Sequence, residues 1–158
     1  MRVDPSAARI MVVDDQEMHT RLLRTILQME GFTNVLTIND PREAVAAFQR
    51  YAPDIVLLDL MMFPIDGFSV MRQIHELVGE DDEVPVVFLT ADVNPEHRHR
   101  ALAQGAKDFL SKPFDHDEVV LRIRNLLETR FLYLRLREIA EGVGSLFVEG
   151  AEEIGSAL

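Results

Sequence analysis

The chain has 158 residues, 47% of them hydrophobic and 27% charged, which allows one domain with a substantial core plus an appendage. Its formal net charge of −11 opposes nucleic-acid phosphates, so no direct DNA or RNA binding is expected, and only Arg130, Arg135 and Arg137 approach a basic patch. Zero cysteines exclude a disulfide framework, a thiolate zinc site and thiol catalysis and fit a cytoplasmic protein; no apolar run approaches the roughly 20 residues of a membrane span, and MRVDPSAAR lacks a signal peptide's apolar stretch.

Arg9–Val13 (RIMVV) is the first of five short aliphatic runs, and Met18–Glu30 reads as the helix after it, with Gly31 as its C-cap. Val35–Ile38 (VLTI) is the second run, followed by Asp40, Pro41 and Glu43 as N-cap, N1 proline and N3 acid of a helix. Ile55–Leu58 (IVLL) is the third. The acidic GEDDEVP, residues 79–85, reads as a solvated turn before the fourth run, Val86–Leu89 (VVFL). Asn94 and Pro95 then open a helix that Gly105 closes, Phe109–Leu110 is a weaker fifth run, and Asp115 with Glu118 opens the last helix. Uninterrupted apolar runs of this length suit strands buried on both faces, as in parallel sheets. The alternation predicts a doubly wound α/β domain over about residues 8–128.

Beyond Leu127, ETRFLYLRLREIAEGVGSLF continues the last helix, with Leu132, Leu136, Ile139, Val143 and Leu146 at alternating spacings of four and three. Gly142 and Gly144 are each expected to weaken it by about 1 kcal/mol relative to alanine, fraying or bending its far end. The predicted organisation is a domain over residues 1–128 and a helical extension over 129–158. Two readings of the extension stand, a tail folded on its own domain and a dimerising or signal-passing helix; the second is preferred.

In an open parallel sheet, reactive groups gather beyond the carboxyl ends of the strands, where strand order reverses. The polar residues at those ends are Asp14 and Asp15, Asp59, Thr90 and Lys112. Three carboxylates at such short range raise one another's pKa unless a cation is present. Mg²⁺ resolves this, since it takes one or two carboxylates plus phosphate oxygens and keeps several waters. Asp59 is then a candidate nucleophile toward a phosphoryl group, with Lys112 neutralising its charge and the Thr90 hydroxyl hydrogen-bonding one of its oxygens. A lone Asp at a strand end is more often a helix cap; four filled positions at separate strand ends argue for function.

The sequence resembles the receiver domain of two-component response regulators. The matching pieces are VVDDQ at Val12–Gln16, LLDLMM at Leu57–Met62, DGF at Asp66–Phe68, LTA at Leu89–Ala91 and GAKDFLSKPF at Gly105–Phe114, each weak alone and specific in this order. The resemblance implies a five-stranded parallel sheet in flavodoxin-like order 2-1-3-4-5 with five helices. It implies that Asp59 takes a phosphoryl group from a sensor histidine kinase, a phosphotransfer protein or a small phosphodonor. Asp15, Asp59 and the backbone carbonyl of Met61 would bind Mg²⁺, with Asp14 acting largely through water, and Lys112–Pro113 matches a bond typically cis in the family. Phe109 falls at the aromatic switch position: when Thr90 moves to the phosphate, an inward rotation of the ring would reshape the face of the fourth helix, fifth strand and fifth helix. Phenylalanine lacks the more usual tyrosine's hydroxyl, so a weaker rotamer preference is expected. LLETRFLYLRLRE, residues 126–138, resembles connectors that follow receivers joined to cyclic-dinucleotide or phosphatase-type output domains. One departure stands out: the family's DLMMP has Phe63 in place of proline, with Pro64 next, which should reshape the loop after Asp59.

Other residues take ordinary readings. His19, His75, His97, His99 and His116 are expected at the surface, with no spacing that meets a strand-end acid, although His97 and His99 are placed to tune the fourth helix. Met62 is expected in the core, and the side chains of Met61 and Asp92 beside the path of water to an acyl phosphate. The rival function is a Mg²⁺-dependent phosphohydrolase with an aspartyl nucleophile. Haloacid-dehalogenase-like enzymes of that kind typically place a second Asp two residues after the nucleophile as general acid, and Met61 stands at that position here. A flavin mononucleotide module of the same fold would want hydroxyls after the first strand, where the two acids stand.

Overall fold

The structure is a computed structural model describing residues 4–79, 83–92 and 94–157, with side chains through residue 144. Five strands, β1 (Arg9–Val13), β2 (Asn34–Ile38), β3 (Ile55–Asp59), β4 (Val86–Thr90) and β5 (Asp108–Ser111), form one sheet in the order β2-β1-β3-β4-β5. Every pairing is parallel. The helices are α1 (Glu17–Met29), α2 (Ala44–Tyr51), α3 (Gly67–Val78), α4 (Pro95–Ala103) and α5 (His116–Ala157). The strands match the aliphatic runs, but β3, β4 and β5 each extend further, to Asp59, Thr90 and Ser111. Asp59 is in register with Leu89, and Thr90 with Ser111. Asp59 and Thr90 therefore sit inside the hydrogen-bonded ladder, which fixes their backbones, whereas Asp14, Asp15 and Lys112 follow directly after their strands.

Alternation along the buried strands supplies two cores. Ile10, Val12, Ile55, Leu57, Val87 and Leu89 face α1 and α5, whereas Met11, Val13, Val56, Leu58, Val86 and Phe88 face α2, α3 and α4. α1 ends as the glycine signal predicts: Gly31 has φ +91°, its N–H donates to the Gln28 carbonyl, and the Phe32 N–H donates to that of Leu27. Gly105 closes α4 in the same way at φ +109°. Asn94 caps α4 by accepting from the Glu96 N–H, and Asp115 caps α5 by accepting from that of Glu118. The Asp40–Pro41–Glu43 signal opens with a 3₁₀ turn, Pro41–Glu43, before α2 begins.

α5 is one helix of 42 residues that runs through residue 128 without a break. Its backbone stays helical past Gly142 and Gly144. Arg130 is buried: its Nε lies 3.4 Å from Asp54 Oδ1 and its Nη1 donates to the Glu83 carbonyl at 3.0 Å. Because Arg130 is committed inward and Arg137 pairs with Glu141, the three arginines of the extension do not make a basic patch. Leu132, Leu136, Ile139 and Val143 are 55–65% exposed, a stripe that the domain does not cover; the side chain of Leu146 lies outside the described residues.

Candidate functional site

The order of the sheet reverses at β1 and β3, and Asp14 and Asp59 stand at the carboxyl ends of those two strands. Asp14 is fully buried and densely partnered. Its Oδ1 accepts from the Gln16 N–H at 2.9 Å, and its Oδ2 lies 3.0 Å from Lys112 Nζ and 3.1 Å from His19 Nδ1. Lys112 Nζ also reaches Asp59 Oδ1 at 3.3 Å, so one ammonium bridges two strand-end acids. Asp59 is buried and accepts from the Met61 N–H at 3.3 Å. Asp15, by contrast, is exposed at the mouth.

Asp14, Asp15 and Asp59 each offer an oxygen, and these atoms lie within 4.8 Å of one another. Lys112 supplies one positive charge against three carboxylates, and loss of hydration together with the Asp14 charge pushes the Asp59 carboxyl up to about 6 despite Lys112. An oxygen-only, acid-rich cluster of this kind fits a hard divalent cation such as Mg²⁺.

The β4 and β5 ends complete the site. Thr90 is buried, its hydroxyl oxygen accepts from the Asp92 N–H at 2.9 Å, and its carbonyl accepts from the Lys112 N–H at 2.9 Å. Lys112–Pro113 is cis, as the resemblance implies. Phe109 is buried beside Phe88, ring centroids 6.2 Å apart, with the Arg98 guanidinium 5.5 Å from its own centroid. The ring is therefore inward, held by a cation–π contact that sequence reading had not supplied.

Met61 and Phe63 are 76% and 83% exposed, while Met62 is packed in the core. Phe63–Pro64 is also cis. A groove of about 550 Å³ opens beside the cluster and meets it at Asp15; Met61, Phe63, Phe68, Asp92 and His97 also line it. Gly67 sets how closely α3 approaches β3. A Cβ there would stand 2.4 Å from the Asp59 carbonyl oxygen and 2.9 Å from Leu60 Cα, so only glycine lets α3 start this close to β3.

Two contributors were missed by sequence reading. Asn39, just past β2, donates from Nδ2 to the Asp14 carbonyl at 3.0 Å and to Thr20 Oγ1 at 3.1 Å. It is the strand-end polar residue of β2, left out when those of the other four strands were singled out. His19 is the other, and its expectation is corrected. Far from being a surface residue without a strand-end partner, it is mostly buried against Asp14, because the first turn of α1 rotates position 19 back over the sheet edge. His75 is likewise half-buried, and burial lowers its pKa.

Residues 10–124 match the response regulator receiver domain. The chain is 36% identical over 150 residues to the transcriptional regulatory protein TrcR of Mycobacterium tuberculosis, covering 95% of this chain and 57% of that protein. It is 40% identical over 136 residues to the response regulator PleD of Caulobacter vibrioides, covering 84% of this chain and 29% of PleD. The structure of the Vibrio cholerae chemotaxis protein CheY4 matches with a TM-score of 0.70 and 27% identity, over 76% of this chain and 98% of CheY4. The chain belongs to the receiver-domain family of two-component response regulators, and it spans 57% of TrcR and 29% of PleD. Among the described residues no helix is long and apolar enough to cross a membrane.

Proposed function

We propose that the chain is a cytoplasmic phosphorylation switch in which Asp59 accepts a phosphoryl group from a sensor histidine kinase or a phosphotransfer protein. The observation that carries this is the single ammonium of Lys112 between Asp14 and Asp59, in a cluster where a third acid faces solvent. An Asp59 oxygen forms the new bond to phosphorus while the donor's bond to phosphorus breaks and its electron pair leaves with the donor. Asp59 must be ionised to do this, and a carboxyl at about 6 is so at neutral pH. Lys112 offsets charge on the transferred group, and Thr90, whose oxygen already accepts from Asp92, keeps its one proton to donate to a phosphoryl oxygen. Asp14, Asp15, Asp59 and the Met61 carbonyl are the groups that would hold Mg²⁺, which when bound supplies charge neutralisation at the phosphoryl oxygens.

Movement of Thr90 would pass to Phe109 and then to the face of α4, β5 and α5. We read the chain as a signalling module with only self-catalysed phosphotransfer and autodephosphorylation. A phosphohydrolase reading is not favoured, since the position for its second acid holds Met61, with a side chain pointing to water. Acetyl phosphate and Mg²⁺ should add the mass of one phosphoryl group to the intact protein and none to Asp59→Asn; absence of any gain in the wild type refutes the proposal.

Residues 129–158 would act as a connector to an output domain or as a dimerisation helix in a homodimer. The uncovered Leu132–Val143 stripe supports this, since burying large aliphatic side chains is worth about 1.5–3 kcal/mol each. A monomer by light scattering, both with and without residues 129–158, removes the dimer.

A further inference from the structure

Three acids, Asp15, Asp66 and Asp92, line the groove beside the site, and two have evident work. Asp15 belongs to the three-carboxylate cluster, and Asp66 caps α3 by accepting from the Ser69 N–H at 2.8 Å. The third, Asp92, has one oxygen accepting from the Asn94 N–H at 2.8 Å and the other against Nδ1 of His97, in the first turns of α4. Its own N–H donates to Thr90 Oγ1. Asp92 thus joins the hydroxyl of the site to α4, and only its Oδ2 faces a partner, the His97 ring, that solvent also reaches. The His97 contact holds the Asp92 carboxyl below the usual carboxylate range, so the group is an ionised acceptor at neutral pH.

We propose that His97 is a positioning residue that lengthens the life of the aspartyl phosphate by occupying the Asp92 oxygen that would otherwise orient attacking water. The inference rests on Asp59 being the phosphoacceptor. In hydrolysis the water oxygen forms a bond to phosphorus, the phosphorus–oxygen bond to Asp59 breaks, Asp59 leaves as a carboxylate, and one water proton passes to solvent as inorganic phosphate departs. The groove meets the acid cluster at Asp15, and a carboxylate on its wall with a free oxygen is a hydrogen-bond acceptor for water there. With Oδ2 taken by His97 and Oδ1 by Asn94, Asp92 has both oxygens engaged. Truncating the ring frees Oδ2 without touching the three-acid cluster, Lys112 or Thr90.

The test loads the full chain with acetyl phosphate and Mg²⁺, removes the donor, and follows loss of the phosphoryl mass with time at pH 7.5. Decay should be about 3- to 10-fold faster in His97→Ala, the worth of one hydrogen bond to the attacking water. His97→Asn, whose amide nitrogen can take the place of Nδ1, should restore slow decay. In an Asp92→Asn background, His97→Ala should change nothing, which separates positioning through Asp92 from a structural effect of the ring. Equal decay in wild type and His97→Ala, or the same acceleration in the Asp92→Asn background, overturns the proposal and leaves Asp59 phosphorylation standing. No phosphoryl mass on the wild type overturns the underlying reading instead.

Discussion

Replacing Asp59 by asparagine removes one buried charge and almost no volume, so it isolates what the site costs the fold. The folded carboxyl lies at about 6 against an ordinary 3.8, raised by lost hydration and by Asp14. A carboxyl whose pKa rises on folding favours the native state when protonated, so its contribution is lost as pH climbs from 3.8 to 6 and the full penalty stands above that. Two units correspond to about 3 kcal/mol, and solvent at the mouth of the site, where Asp15 is exposed, reduces this to about 1.5–3 kcal/mol. At roughly 2–4 °C per kcal/mol, Asp59→Asn should melt some 3–12 °C higher than wild type at pH 7.5 in EDTA. Lys112 keeps Asp14 as its partner in the variant, so no new unpaired ammonium offsets the gain. Calorimetry should also show most of the gap closing by pH 4, where the native wild-type carboxyl already carries its proton. Added Mg²⁺ should narrow it from the other side by raising the wild type alone. A variant that melts at or below wild type at pH 7.5, or a gap that persists at pH 4, would refute the claim that crowded acids strain this site.

Gly67→Ala drives a methyl into the Asp59 carbonyl and should cost about 1–3 kcal/mol by urea unfolding, together with slower phosphorylation as α3 backs away from β3. Asn39→Ala leaves the Asp14 carbonyl and the Thr20 hydroxyl without their shared donor; a loss of about 1–2 kcal/mol in the same assay is expected, and none would mean water substitutes freely. Gly142 has open space where a Cβ would go, so Gly142→Ala should firm the far end of α5 by about 1 kcal/mol, read as slower amide exchange around residue 142.

The strands were legible because a parallel sheet buries both faces and so writes each strand as an unbroken apolar run ending in a polar residue. Asp14, Asp59, Thr90 and Lys112 could be read from that grammar alone. Asn39 obeyed the same rule but followed the least buried strand, β2, and carried no charge to draw notice. His19 and His97 were not legible, because their partners depend on how a helix is rotated about its axis, which spacing along the chain does not specify. Arg130 looked like one of a surface cluster, and only the passage of α5 beside Asp54 and Glu83 shows it turned inward. The close approach of α3 to β3 was carried in the DGF motif without its reason, since a required absence of Cβ leaves no mark other than glycine itself.

The unbroken length of α5 has a mechanical consequence. The domain grips this helix up to about Arg130, and the part beyond, through residue 157, is roughly 40 Å long at about 1.5 Å per residue. A tilt of about 5° at the gripped end would carry residue 157 some 3–4 Å sideways, about the size of a side chain. On the proposed connector reading the helix would act as a lever whose short arm lies against the same sheet that holds Asp59, so a change too small to alter the domain's outline would emerge at a distance as a displaced tip.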